Sequence, residues 1–142
     1  MTVAIYNRQK DLKINKSSAR VLVLSVLSFL KIPFDEVTLY FVGEERISAM
    51  HAEFFQDPTP TDCISFPIDE SHLGEIFVCP AAAVRYAAKK KGDPYSETAL
   101  YMIHGLLHLI GYGDLEPEEK REMRKKEKSC MRHLDRLKIT LK

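Results

Sequence analysis

The sequence predicts an α/β fold: a single domain with a small mixed four-stranded sheet packed by about five helices, one of them buried. Three observations predict it. Runs rich in β-branched and aromatic residues alternate with runs of helical period, in the order β-α-β-α-β-β-α-α-α. Two of the β-type runs follow each other directly, as the arms of a hairpin do, so the sheet is mixed. The run around Leu100–Ile110 is apolar over most of its helical circumference, the pattern of a helix enclosed by the rest of the chain.

Each element has its own signal. Val3–Tyr6 reads as the first strand. Asn15 or Ser17 caps a helix reaching about Lys31, with Pro33 as its stop. Val37–Val42 is rich in β-formers and reads as the second strand, broken by Gly43. Glu44 to about Phe55 reads as a helix with acids in its first turn. The two prolines of the stretch Asp57-Pro-Thr-Pro-Thr-Asp62 make it a loop. Cys63–Phe66, closed by Pro67, is the third strand; Asp69–His72 is a turn and Gly74–Cys79 the fourth strand. Pro80 suits the first position of a helix to about Lys91. Gly92-Asp-Pro-Tyr separates it from the apolar helix, for which Ser96 reads as the N-cap. Glu116-Pro117 opens a last helix to about Lys138, with Met123, Cys130, Leu134 and Leu137 as its apolar stripe.

Bulk properties narrow the classes. The 142 residues suit one domain spanning residues 1–142, large enough to bury a core without staples. Cys63, Cys79 and Cys130 are odd in number and form no C-x-x-C pair, which fits a reducing cytoplasm and argues against a disulfide scaffold. No signal-like region is expected at the start, and the apolar run Val21–Leu30 is too short to span a bilayer. A net charge of +1 excludes a polyanion binder by bulk charge, so any nucleic-acid contact must come from a local patch. No aromatic-rich stretch marks a single-strand platform.

The chemistry concentrates in His104-Gly-Leu-Leu-His108-Leu-Ile-Gly111-Tyr-Gly-Asp114. Residues i and i+4 share a helix face, so His104 and His108 aim at one point. Gly111 can adopt the left-handed conformation that ends a helix and turn Asp114 back toward them. Two imidazoles and a carboxylate with an open position form a catalytic metal pattern; the alternative is two core histidines with hydrogen-bond partners. Zinc-peptidase helices carry His-Glu-x-x-His with the glutamate as base, whereas Gly105 follows His104 here. Gly105 leaves room for a substrate or another backbone segment. Glu97 and Tyr101 share the polar stripe and are candidates to orient a ligand, or else a helix-dipole acid and a packing aromatic.

The run at 104–112, His-Gly-x-Leu-His-Leu-x-Gly-Tyr, resembles the signature of the YbeY family of bacterial rRNA-maturation endoribonucleases. Pro60-Thr61-Asp62-Cys-Ile-Ser65-Phe66-Pro67 resembles its Pro-Thr-Asp-x-Leu-Ser-Phe-Pro signature, and Leu73-Gly74-Glu75-Ile76 its Leu-Gly-Asp-Ile segment. The similarity in order and spacing covers about residues 40 to 135. The resemblance implies one α/β domain holding one divalent metal, zinc as a rule. It implies a cytoplasmic, single-strand-specific endoribonuclease acting on rRNA of the small ribosomal subunit, in 3′ maturation and quality control. Neither DNA nor membrane is an expected partner.

Two departures from the family stand out. Its three ligands are histidines; the first two map onto His104 and His108, and the third, counted without a gap, onto Asp114. A one-residue deletion would instead match Asp114 to the aspartate that precedes that histidine. A carboxylate ligand lowers the site's charge by one, weakens the metal as a Lewis acid and opens the site to Mn2+ or Fe2+ beside Zn2+. The second departure is Phe54-Phe55-Gln56, where the family commonly carries an arginine. Asp62, Ser65 and Glu75 are the candidate catalytic residues, with Asp62 and Ser65 shaping the cleft wall beside the metal. No base is spaced to make Ser65 a nucleophile.

From Glu116 to Lys142 there are ten Lys/Arg against six Asp/Glu. Arg121, Arg124, Lys125, Lys128 and Arg132 form a basic face, the candidate RNA contact, unless it is simply a solvated helix face. Lys89-Lys90-Lys91 is a second basic cluster. The remaining alternatives are a non-catalytic ribosome-assembly protein with a structural metal and a metal hydrolase of another ester or amide.

Overall fold

A computed structural model describes residues 1–57 and 61–142. Pro58, Thr59 and Pro60, within the predicted loop and the Pro-Thr-Asp run, lie outside the described residues. Strands β1 (Thr2–Arg8), β2 (Glu36–Val42), β3 (Cys63–Pro67) and β4 (His72–Val78) form one sheet in the order β1-β2-β4-β3. β1, β2 and β4 run parallel, and β3 is antiparallel to β4. The sheet is therefore mixed, as the adjacent third and fourth strands require. Five helices accompany it among the described residues: α1 (Lys16–Phe29), α2 (Glu44–Phe55), α3 (Pro80–Lys90), α4 (Pro94–Leu109) and α5 (Pro117–Leu137). None of the helices is long and apolar enough to cross a membrane.

Strand alternation divides the sheet into two faces. Val3, Ile5, Leu39, Phe41, Ile76 and Val78 face α1 and α4 and form the main core with Leu22, Met102, Leu106 and Met123. Removing each large aliphatic or aromatic side chain from water contributes about 1.5–3 kcal/mol. On the opposite face a smaller cluster of Val42, Ile47, Met50, Ile64 and Cys79 seats α2. There the pairing register also lines up Tyr6, Tyr40 and Phe77 from three strands. Tyr6 and Tyr40 stack at 5.1 Å and Tyr40 and Phe77 at 4.6 Å, with the Arg8 guanidinium above the tyrosines. These aromatics are scattered in sequence and only strand pairing gathers them, so no local run announces them.

Several boundaries differ from the sequence reading for identifiable reasons. α4 begins at Pro94, capped by Asp93 rather than Ser96. The Asp93 carboxylate accepts from the Tyr95 backbone N–H at 3.0 Å, and the proline ring presets the first helical residue. The Ser96 hydroxyl donates to Asp93 at 3.1 Å instead of capping. β4 starts two residues earlier than expected because Asp69 accepts the backbone N–H groups of Ser71 and His72, both at 2.8 Å, and tightens the turn. Leu137 is 54% exposed; the chain folds back after α5 and Leu141 fills the core position instead. The stripe that seats α5 is Met123, Glu127, Cys130 and Leu134, with a glutamate among apolar residues.

Candidate metal centre

α4 is enclosed because its apolar residues face in several directions: Met102, Ile103, Leu106 and Leu107 are all fully buried. The histidines stand on its one polar stripe, half-buried. Gly105 explains how the helix lies so close to the sheet. A Cβ there would come within 2.6 Å of Ile76 Cγ2 and 2.9 Å of Cys63 Sγ. The missing side chain thus admits β3 and β4 rather than a substrate. Gly111 takes φ +107 after the helix ends, as expected of a glycine stop, and the chain turns back toward α4.

That turn brings three donor atoms together. His104 Nε2 and His108 Nε2 each lie 3.4 Å from Asp114 Oδ2 and 2.9 Å from each other. Two ligands about 2.1 Å from one tetrahedral ion lie about 3.4 Å apart, so the donor triangle has the dimensions of a three-ligand site. Among the described residues this is the one group of His, Cys, Asp or Glu with that proximity.

The outer ring nitrogens fix the tautomers. His108 Nδ1 lies 2.9 Å from the Tyr112 carbonyl, an acceptor only, so Nδ1 carries the proton. His104 Nδ1 lies 2.6 Å from the carboxylate of Glu127, whose side chain is 5% exposed. In the neutral rings both Nε2 lone pairs then converge with the Asp114 carboxylate, an arrangement suited to a cation. Arg124 donates to the other Glu127 oxygen at 2.9 Å. Burial opposes the charged form of Glu127, but the bonds from His104 and Arg124 outweigh it and hold its pKa below the ordinary value. Burial likewise opposes protonation of His104, yet the bond and charge of Glu127, with Asp114 and Asp62 beyond, raise its pKa.

Glu127 was the residue that sequence reasoning missed. Its signal was the lone carboxylate on the apolar stripe of α5. Glu97 and Tyr101, the candidates to orient a ligand, line one cavity, and burial raises the pKa of both. The three catalytic candidates separate. Asp62 lines a cavity of about 710 Å³ together with Glu97, Tyr101, Arg124 and Glu127, close enough for its charge to act on His104. Ser65 donates to the Gly105 carbonyl at 3.1 Å, which ties α4 to β3, and does not line that cavity. Glu75 sits on the far face of the sheet, accepting from the Tyr40 hydroxyl at 3.3 Å, and is removed from the metal centre. Of the basic face, Arg124, Lys128 and Arg132 line the cavity; Arg121 and Lys125 are exposed but do not line it. Arg85 borders an adjoining groove beside Thr61 and Asp62 and is ion-paired to Glu44.

The family model described as Endoribonuclease YbeY matches residues 4–135. A Protochlamydia amoebophila protein named Endoribonuclease YbeY is 44% identical, covering 96% of this chain and 95% of its own length. A Chlamydia felis protein of the same name is 41% identical over 91% of this chain and 88% of its own. The solution structure of a Thermotoga maritima protein superposes with a TM-score of 0.69 at 27% identity, covering 94% of this chain and 89% of that one. With the family model matching residues 4–135 and relatives 44% and 41% identical over most of its length, the chain belongs to the YbeY endoribonuclease family.

Proposed function

We propose that residues 1–142 act as one YbeY unit, a metal-dependent endoribonuclease that cuts single-stranded RNA. The observation that carries the reading is the convergence of His104 Nε2, His108 Nε2 and Asp114 Oδ2, with both Nδ1 atoms committed elsewhere. These three residues are the proposed ligands of one divalent ion: zinc, with manganese or iron also suited to two histidines and a carboxylate. Such an ion supplies a Lewis acid for a phosphoryl oxygen and acidifies water.

The chain's own residues do the rest. Glu127 holds the His104 ring in one tautomer and orientation. Arg124, fixed on Glu127, presents a guanidinium at the edge of the centre, where family members commonly draw an arginine from the segment occupied here by Phe54-Phe55-Gln56. Developing negative charge on a scissile phosphate needs such a cation. Lys128 and Arg132 continue the positive edge along α5 and suit an RNA backbone. Asp62 faces the same cavity and is the proposed group for proton transfer. The substrate is proposed to be rRNA of the small ribosomal subunit, cut near its 3′ end during maturation and quality control in the cytoplasm.

The second reading is an assembly protein whose metal is structural, and Asp114 at the third ligand position favours it by weakening the Lewis acid. Incubating zinc- or manganese-loaded protein and its His108→Ala variant with single-stranded rRNA-precursor fragments separates the two. Metal-dependent cleavage that the variant lacks is the expected result. Absence of cleavage by the loaded protein on any fragment, with intact small subunits also tried, would remove the nuclease reading.

A further inference from the structure

We propose that the cavity between α3, α4 and α5 is a subsite for one unpaired nucleobase of a single-stranded RNA, with Tyr86 as its stacking platform. The proposal rests on RNA being the substrate, and it adds how single strands are selected. Tyr86 stands on α3 and is 47% exposed. It borders both the cavity of about 710 Å³ and an adjoining open groove of about 780 Å³. Both lie within the roughly 300–1,000 Å³ typical of small-molecule sites.

Cations flank the ring on both sides. Lys89, one turn along α3, lines the groove, while Lys128 and Arg132 line the cavity from α5. A backbone crossing from one to the other passes Tyr86, with a phosphate available to each cation. The carboxylates of Asp62 and Glu97 line the cavity with Tyr86. Carboxylates are poor neighbours for a phosphate but accept N–H groups from a base edge. The lining therefore fits a base with its phosphates held at the rim. Arg124 and Glu127 also line the cavity, and Glu127 holds His104, so the subsite is continuous with the metal centre. A base within a duplex has its edge paired and its faces stacked and cannot enter, which makes strand separation a condition of binding.

Fluorescence anisotropy with a labelled single-stranded RNA decamer tests this on the full chain. Stacking on one aromatic ring predicts about tenfold weaker binding by Tyr86→Ala, with Tyr86→Phe close to wild type. The chain has no tryptophan, so Tyr86→Trp adds a unique reporter. Its emission should be quenched by the single strand and not by the same sequence as a duplex. Circular dichroism confirms that each variant is folded. Tyr86→Ala binding within twofold of wild type would overturn the proposal. So would equal affinity for an abasic decamer, which would mean that charge alone is read, or an unquenched Tyr86→Trp. Cleavage lost in His108→Ala with binding indifferent to Tyr86 removes the subsite and leaves the nuclease reading. Tyr86-dependent binding without cleavage under any metal does the reverse.

Discussion

At His104 burial disfavours the protonated ring while the Glu127 carboxylate favours it, and the carboxylate prevails. The sign of each consequence follows. With a folded pKa raised above the unfolded one, His104 contributes stability to the metal-free chain that is complete below its unfolded value and is lost as pH rises through the folded one. Glu127, held low, contributes stability that is present above its unfolded value and is lost as pH falls through the folded one. The ion pair therefore persists between the two folded values, and metal must displace the His104 proton. Metal affinity should fall on acidification, beginning above the ordinary histidine value of about 6.5. Glu127→Gln keeps an acceptor for Nδ1 but loses the charge that makes the imidazole a stronger donor. Zinc affinity at pH 8, read by competition with a chromophoric chelator, should drop about 10- to 100-fold, the usual cost of losing such a partner. Unchanged affinity would show that His104 needs no help from α5. As the proposed third ligand, Asp114 bears on which metal is preferred. Asp114→His should tighten zinc binding relative to manganese, because it replaces a hard oxygen donor by imidazole and restores the three-histidine set. An unchanged zinc-to-manganese ratio would mean that Asp114 is not a ligand.

Elements with a local signal were legible in the sequence. The i, i+4 histidine spacing, the glycine stop and the apolar circumference of α4 sufficed to place two donors and the turn that returns the third. The two β-type runs without a helix between them sufficed for an antiparallel pair. What local pattern could not show was contact between distant elements. Gly105 read as room for a substrate or another backbone segment, yet it is the side chains of Cys63, Ser65 and Ile76 from β3 and β4 that occupy the space it leaves. The first cap of α4 was misplaced because Ser96 and Asp93 are both competent caps, and the choice depends on Pro94 fitting the first helical position. Gly105→Ala separates local from tertiary effects. Helix propensity alone would favour alanine by about 1 kcal/mol. The new Cβ, however, meets Ile76 at 2.6 Å and Cys63 at 2.9 Å, both held by strands. Overpacking typically costs about 1–3 kcal/mol, and the Ser65 bond to the Gly105 carbonyl is disturbed as well. A net loss of about 1 kcal/mol or more is expected, seen as a lower urea midpoint at unchanged m-value. Gly92→Ala is the control: a Cβ there meets nothing within 4 Å, and its effect should be neutral or slightly stabilising. A Gly105→Ala variant as stable as wild type would mean that α4 can lift from the sheet without cost.

Across the whole molecule, function depends on where charge and donors end up rather than on totals. A net charge of +1 conceals a basic edge along α5 that borders the cavity. Tyr86 carries no sequence signal at all, since only the packing of α3 beside α4 brings it to the same rim. The metal centre likewise ties together parts that are distant in sequence: two donors on α4, one in the turn after it, and through Glu127 the middle of α5. Unfolding separates all of them, so an ion bound there stabilises only the native chain. At a free concentration about 100 times the dissociation constant, such linkage contributes about 2.7 kcal/mol. For a chain of this size 1 kcal/mol moves Tm by roughly 2–4 °C. Zinc added to chelator-treated protein should therefore raise Tm by roughly 5–10 °C in calorimetry, and His108→Ala should abolish the rise while remaining folded. The second reading, a structural metal, predicts the same thermal shift, so the shift by itself locates the ion and leaves catalysis to the cleavage assay. A Tm indifferent to zinc, manganese and iron alike would mean that the three donors hold no ion, and every step from the His-His-Asp triangle to RNA cleavage would fall with it.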